Sequence, residues 1–525
     1  MKQSRFRKAC LMRFWRFNDV YNEGEIQMKI LYKTMTAAVL AGMLSGTNLT
    51  AQAAMQEQDI LSKIEAGQIG LPTRGAEIVS QELFTTKSGS KYYAVRGQIK
   101  PVDQTAPVIE FQVNLPLNWN GKLAQFGGGG FDGFLVTADG ASTGMGQESL
   151  TPLEQGYVTF GSDSGHKSAM WEAEWALNDE ALENFAYKQL KKTKDVATAL
   201  SQNFYGKKAD KVYFIGGSNG GREALMTAQR FPQDYDGVVA FYPVLNWVPK
   251  AIKDSENGDV QHRNNGKDWL SPELYQQVIK RIYAYGDELD GKKDGLIRDM
   301  AALDAQKDKV FSSLRDILSP GQIDSLAYFY RDKQYAIPMA DNYQVMPGYS
   351  LSQLLYDAPF NQLGTGAVNR DGNMEMFGDQ VIKYQIMRDE NFDPKNFQTK
   401  KYAKQIFQAA KLLDATSTDL TAFKNHGGKL ILLHGTADQL VAANGSVRYF
   451  KDVQKRYGKE ETAKFMRFYL VPGYGHGEGS IFTMGRDLLM DLDTWVSKGE
   501  APEKIAVIGQ NSANKGKTIE LVPAE

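Results

Sequence analysis

KVYFIGGSNGGREA, residues 211–224, is an apolar run that stops in a glycine cluster holding a single serine. Val212, Tyr213, Phe214 and Ile215 favour a strand, and Arg222-Glu223-Ala224-Leu225 opens a helical pattern. A strand, a sharp turn and a helix built with such small neighbours let a serine hydroxyl stand clear of the backbone. The helix N-terminus then points N–H groups at any negative charge formed beside that hydroxyl. Ser218 is therefore read as a nucleophile, with the N–H of Asn219 beside it.

The rest of the chain has to support such a site. At 525 residues, with 42% hydrophobic and 11% aromatic content, it can bury a large core. The formal charge of −1 supplies no field for nucleic acid or an anionic membrane. From Met28 the chain reads MKILYKTMTAAVLAGMLSGTNLTAQAAMQEQ: lysines, an apolar stretch over 35–44, then Ala51-Gln52-Ala53 as an A-x-A cleavage site. The expectation is a start at Met28, a signal peptide removed at residue 53, export to the periplasm or medium, and no membrane contact after cleavage. Cys10 is the only cysteine, so the mature chain has no thiol chemistry, cysteine metal site or internal disulfide. Nothing in the sequence specifies an oligomeric state.

Residues 106–117 alternate, with Ile109, Phe111, Val113 and Leu115 on one side, and lead through Lys122–Phe126 into Gly127-Gly128-Gly129-Gly130. Further strands fit 157–161, 212–215, 238–242, 430–433 and 468–471. Leu182, Ala186, Leu190, Ala197, Leu200 and Phe204 carry a helical period between them. Strand and helix alternate, which predicts an α/β fold around a mostly parallel sheet. From 246 to 425 the pattern turns to short helices broken by Asp, Asn and Gly, which reads as a large inserted domain. The expected division is an upstream segment over 1–53, core over 54–245, insertion over 246–425 and core again over 426–525.

The pattern G-x-S-x-G occurs twice, since Gly140-Ala141-Ser142-Thr143-Gly144 also fits. No strand run precedes Ser142 and no helix follows it, so it reads as a surface loop. Ser218 has the context of a nucleophile elbow. A serine needs a base, and the chain has five histidines: His166, His262, His426, His434 and His476. In α/β hydrolases the order is Ser, then Asp or Glu, then His, on loops after late strands. His476 in LVPGYGHGEGS and Asp438 in LILLHGTADQLV satisfy both order and position.

The stretch YFIGGSNGGREALMTAQRFPQDYDGVVAFYPVLNW resembles the serine region of the tannase and feruloyl esterase family. LNWNGKLAQFGGGGFDG, GYVTFGSDSGH, GGKLILLHGTADQLV and VPGYGHG match further family segments in order, so the resemblance covers most of residues 100–500. It implies an α/β-hydrolase core with the inserted domain as a lid, Ser218 as nucleophile, Asp438 as acid and His476 as base. The oxyanion would be held by the N–H of Asn219 and one from Gly129 or Gly130. GDELDGKKDGLIRD resembles the family's calcium loop: Asp287, Asp290 and Asp294, with the carbonyls of Lys292 and Leu296, would give a structural Ca²⁺ part of the roughly six to eight oxygens it prefers. By composition alone the same stretch is an Asp/Gly-rich turn.

The chain departs from the family where cysteine is concerned. Gly217, Gly477 and Gly286 stand where the family has cysteines, the first two as the partners of a disulfide. Glycine at both positions removes any side chain of their own that could crowd the gap, so the serine and histidine loops are expected to approach closely and to move more. The reading is an exported serine esterase for small aromatic or phenolic esters. Two alternatives stay open: an esterase or acyltransferase for a different small ester, and a non-catalytic calcium-stabilised binding protein on a hydrolase scaffold.

Overall fold

The computed structural model describes residues 61–169 and 171–525. The segment read as a signal peptide, with its expected cleavage site, lies outside the described residues. Strand β1 is Lys63–Ile64, β2 Ala76–Thr85, β3 Lys91–Ile99, β4 Ile109–Pro116, β5 Lys122–Phe126, β6 Val158–Ser162, β7 Lys211–Gly217 and β8 Gly237–Phe241, followed by β9 at Lys429–Gly435 and β10 at Met466–Val471. They form one sheet in the order β1-β2-β3-β4-β6-β5-β7-β8-β9-β10. The stretch from β6 to β10 is parallel, while β1 to β4 and the β4–β6 pair are antiparallel.

The central strands are covered on both faces, which is why they read as unbroken apolar runs: every residue of β8 is buried. In β4 the inward set Ile109, Phe111, Val113 and Leu115 is buried as the alternation predicts, but Gln112 and Asn114 on the other face are buried too. Asn114 Nδ2 donates to Thr137 O at 2.8 Å and Thr159 Oγ1 at 3.0 Å, so the second face is closed by hydrogen bonds. β2 was invisible to pattern reading because most of it faces solvent; Val79 is 67% exposed. A small sheet of β11 (Met484–Gly485), β12 (Ile505–Gly509) and β13 (Thr518–Leu521) packs its apolar residues beside the parallel strands.

The predicted helix between β6 and β7 forms in three parts: a turn over Asp179–Glu183 capped by Asn178, a π turn over Asn184–Lys188, and helix α1 over Gln189–Tyr205. It stops at Gly206, whose φ of 69° suits a residue without a Cβ. Helix α2 (Asn219–Arg230) follows β7.

Between the neighbouring strands β8 and β9 the chain makes a long excursion built around α3 (Trp247–Gln261), α4 (Pro272–Gly286), α5 (Pro320–Tyr330), α6 (Asn373–Gln380) and α7 (Ala403–Leu413). Its apolar residues share one cluster with Phe131, Leu440 and Val441 of the loops above the sheet. The described residues all belong to one compact unit, so the excursion is welded to the sheet by its core. Helices α8 (Ala443–Tyr457) and α9 (Leu488–Lys498) complete the layers.

Candidate active site

β7 ends at Gly217, α2 begins at Asn219, and Ser218 makes the turn with φ 62° and ψ −120°. That is a strained conformation for a residue with a side chain. It is held by the Ser218 N–H donating to Phe241 O at 3.1 Å, while Ser218 O accepts from the N–H groups of Arg222 and Val244 at 3.1 and 3.2 Å. A Cβ on Gly220 would lie 2.7 Å from Gly128 O, and one on Gly221 2.4 Å from Phe241 O. Gly216, Gly220 and Gly221 of the quoted stretch are thus demanded by backbone packing, whereas Gly217 faces the Tyr242 side chain. Ser142, by contrast, lies in a loop, but buried and not at the surface as expected, with its hydroxyl directed to Met145 Sδ at 3.8 Å.

Asp438 and His476 come together. Asp438 is fully buried just past β9, and its carboxylate accepts from His476 Nδ1 at 2.9 and 3.1 Å. The N–H groups of Leu440 and Val441 also donate to Asp438 Oδ1, both at 2.8 Å. Burial alone would lift this carboxyl; the facing His476 and the hydrogen bonds from His434 and His476 outweigh it and hold Asp438 well below the usual carboxylate range. Gln439 Oε1 accepts the His476 backbone N–H at 2.9 Å. The hydrogen bonds of His476 run to Asp438 and Gln439, and none reaches Ser218. His434 is buried beneath Asp438, its Nδ1 bonded to Ser446 Oγ at 2.8 Å. His166 stacks on Trp175 with ring centres 3.7 Å apart and bonds Phe131 O. Both are packed into the scaffold.

The glycine loop after β5 is tied to the elbow through a buried polar network that pattern reading did not anticipate. Gly220 N–H donates to Gly128 O at 3.1 Å and Gly128 N–H to Glu223 Oε2 at 3.3 Å. Asn219 Nδ2 donates to Asp132 Oδ1 at 2.7 Å, Ser164 Oγ donates to Asp132 Oδ2, and Arg222 Nε donates to Asn219 Oδ1 at 2.7 Å. Arg222, itself fully buried, also donates to the carbonyls of Phe185 and Ala186 in the π turn. Burial pushes the Glu223 carboxyl well above its ordinary value and raises Asp132 as well. One guanidinium thus faces two carboxyls. The network fixes the backbone of 128–132 beside Ser218, which is what preorganised N–H donors require. The only signal for it was the alternation of glycines with Asp132, Asn219 and Glu223.

A cavity opens beside Ser218 and Gly130. Trp171, Trp247 and Phe377 wall it with Val244, Leu440 and Val441, and Lys250, Gln362 and Asn373 add polar atoms. Lys250 is paired with Asp254, and its Nζ lies 4.5 Å from the centre of the Phe377 ring. His476 is not one of the walls; its imidazole is covered by the rings of Tyr242 and Phe360, with centres 4.5 and 5.7 Å away. The space beside Gly217 and Gly477 is taken by the Tyr242 side chain, a neighbour the sequence did not reveal.

In the loop read as a calcium site, three of the five named residues reach one point, but a guanidinium stands there. Arg298 Nη1 donates to Asp290 Oδ2 at 2.7 Å, Asp294 Oδ1 at 3.1 Å and Leu296 O at 3.4 Å. Asp287 Oδ1 accepts the N–H groups of Asp294 and Gly295. Arg298 holds the Asp294 carboxyl below its usual range. Among the described residues no three His, Cys, Asp or Glu side chains are placed to hold a metal ion. A cation other than Arg298 fits this shell only after Arg298 gives up its place.

The chain is 35% identical over 484 residues to an uncharacterized esterase of Agrobacterium fabrum, covering 87% of each chain. It is 29% identical to a mono(2-hydroxyethyl) terephthalate hydrolase of Piscinibacter sakaiensis, over 76% of this chain and 74% of that one. The crystal structure of feruloyl esterase B from Aspergillus oryzae superposes with a TM-score of 0.72 at 20% identity, covering 87% of this chain and 94% of that one. Tannin acyl hydrolase from Aspergillus niger gives 0.68 at 19% identity, covering 88% and 93%. These two share the α/β-hydrolase fold. The family model described as tannase and feruloyl esterase matches residues 93–523. The chain is a carboxylic ester hydrolase and belongs to the tannase and feruloyl esterase family.

Proposed function

We propose that this protein is an exported serine esterase that cleaves small aromatic or phenolic esters through an acyl-enzyme. The observation that carries the reading is the buried Asp438–His476 pair, set beyond the strained turn of Ser218 in the order a hydrolase triad requires. Asp438 fixes the proton of His476 on Nδ1, leaving Nε2 free to accept the Ser218 proton. Ser218 Oγ attacks the ester carbonyl, and the oxyanion is met by the N–H groups of Asn219 and of Gly129 or Gly130. The alcohol leaves with the proton from His476; water, deprotonated by the same imidazole, then releases the acid. Trp171, Trp247 and Phe377 support a flat, aromatic acyl group, and the helical excursion over 246–425 acts as the lid that shapes the cavity. Export is proposed from the Met28–Ala53 pattern. A panel of feruloyl, galloyl, terephthaloyl and acetyl esters tests the substrate class on purified protein. Aromatic esters are expected to exceed acetyl esters in kcat/KM, and a preference for acetyl would overturn the aromatic reading.

The 287–296 loop carries a second proposal, that it binds calcium in place of Arg298 Nη1 and so stiffens the lid. Calcium should then raise the melting temperature relative to chelator, since a ligand held only by the folded state stabilises it by mass action. Equal melts, with no calcium by elemental analysis, would leave the loop closed by Arg298 alone.

A further inference from the structure

The residue after β8 breaks a backbone rule. Tyr242 has φ 32°, on the positive side that a bulky side chain rarely adopts. It is held there by its N–H donating to Leu433 O at 2.7 Å, while Phe241 before it and Val244 two residues on bond the elbow: Phe241 O accepts from Ser218 N–H and Val244 N–H donates to Ser218 O. An unusual conformation this firmly held calls for a reason in the side chain it aims.

That side chain is buried between the two loops that carry the nucleophile and the base. A Cβ on Gly217 would lie 2.8 Å from Tyr242 Cε2 and Oη, and one on Gly477 would lie 3.1 Å from Oη. The ring therefore occupies the space that side chains at both positions would need. Its centre is 4.5 Å from that of His476, tilted by 49°, and 6.0 Å from that of Tyr474. Phe360 meets the imidazole edge-on at 5.7 Å. Asp438 anchors one edge of the imidazole through Nδ1. A single hydrogen-bonded edge leaves the ring free to pivot; a packed face does not.

We propose that Tyr242 is the positioning residue of this site: its ring, wedged between Gly217 and Gly477, holds the face of His476 so that Nε2 is kept toward Ser218. The inference rests on the triad reading given above. Tyr242 is not a wall of the cavity beside Ser218, so its effect falls on turnover and not on substrate binding. The hydroxyl is secondary to the ring. Burial pushes its pKa up, so it stays neutral at any working pH.

The test compares Tyr242→Ala and Tyr242→Phe by steady-state kinetics on an aryl ester, with kcat expressed per serine titrated by a phosphonate. It also follows the downfield proton NMR signal of a histidine hydrogen-bonded to a carboxylate. Tyr242→Ala is expected to lower kcat about 30-fold or more with KM within about threefold, and to broaden or lose the signal. Tyr242→Phe is expected to keep kcat within about threefold and to retain the signal. If Tyr242→Ala does not accumulate folded, Tyr242→Leu is read in the same way. Wild-type kcat per titrated serine in the Ala or Leu variant, or an equal loss in Tyr242→Phe, would overturn the proposal. A Ser218→Ala control that keeps full turnover would instead overturn the triad reading, and is distinguishable because it is read in a chain with Tyr242 intact.

Discussion

Asp438→Asn is the substitution whose cost follows most directly from the geometry. Asparagine keeps an oxygen for the N–H groups of Leu440 and Val441, so the turn after β9 should hold. It turns an NH₂ toward His476 Nδ1, however, which forces that nitrogen to accept and moves the imidazole proton to Nε2. The base is then in the wrong tautomer to receive the Ser218 proton. The carboxylate charge 2.9 Å from the nitrogen is lost as well. At an effective dielectric of about 20, a unit pair at that spacing is worth roughly 5 to 6 kcal/mol. At about 1.4 kcal/mol per decade, this corresponds to a fall in kcat of roughly four-thousandfold to twenty-thousandfold. The assay is release of a chromophore from an aryl ester at saturating substrate, with a thermal melt of the same sample. A loss of less than about tenfold in a variant that melts like the wild type would refute the assignment of Asp438.

Other substitutions probe the scaffold. Gly220→Ala puts a Cβ 2.7 Å from Gly128 O and should displace the glycine loop, lowering kcat by about a hundredfold with KM little changed, as steady-state kinetics would show. Ser142→Ala should be silent in the same assay, because its hydroxyl serves only a loop. Burial holds the His166 imidazole down to about 4, below the 6.5 of an exposed histidine. Between those values the unfolded chain takes up a proton that the folded one refuses, so this residue lowers stability as pH falls from 6.5 toward 4, by about 3 kcal/mol at the acid end. His166→Gln should therefore flatten the acid side of a stability profile measured by urea unfolding.

The three residues of the proposed triad stood out in the sequence because each sits where local chemistry is strict. Ser218 sits among glycines, of which Gly216, Gly220 and Gly221 are demanded by backbone contacts, and Asp438 and His476 each follow a buried strand that announces itself as an apolar run. The parallel strands were legible for the same reason, as was the interruption between β8 and β9. The β2–β3 hairpin was not, since a strand with most of its residues in solvent carries no apolar period. The π turn at Asn184–Lys188 was hidden as well, because the apolar spacing of Leu182, Ala186 and Leu190 is compatible with a continuous helix. Tyr242 was read as the end of a strand; its role depends on Gly217 and Gly477, distant in sequence and adjacent only once folded. Arg298 was passed over beside the acidic loop it closes, since ion-pair partners are a matter of side-chain direction and not of spacing.

The central claim is that Ser218 is the nucleophile, and covalent labelling tests it most directly. The protein is treated with a serine-directed phosphonate, digested, and the modified peptide sequenced by mass spectrometry while ester turnover is followed. One phosphonyl group on Ser218, appearing in step with loss of activity and absent from Ser218→Ala, is the predicted result. Complete inactivation with the label on Ser142 or another residue, or undiminished turnover by Ser218→Ala, would contradict it.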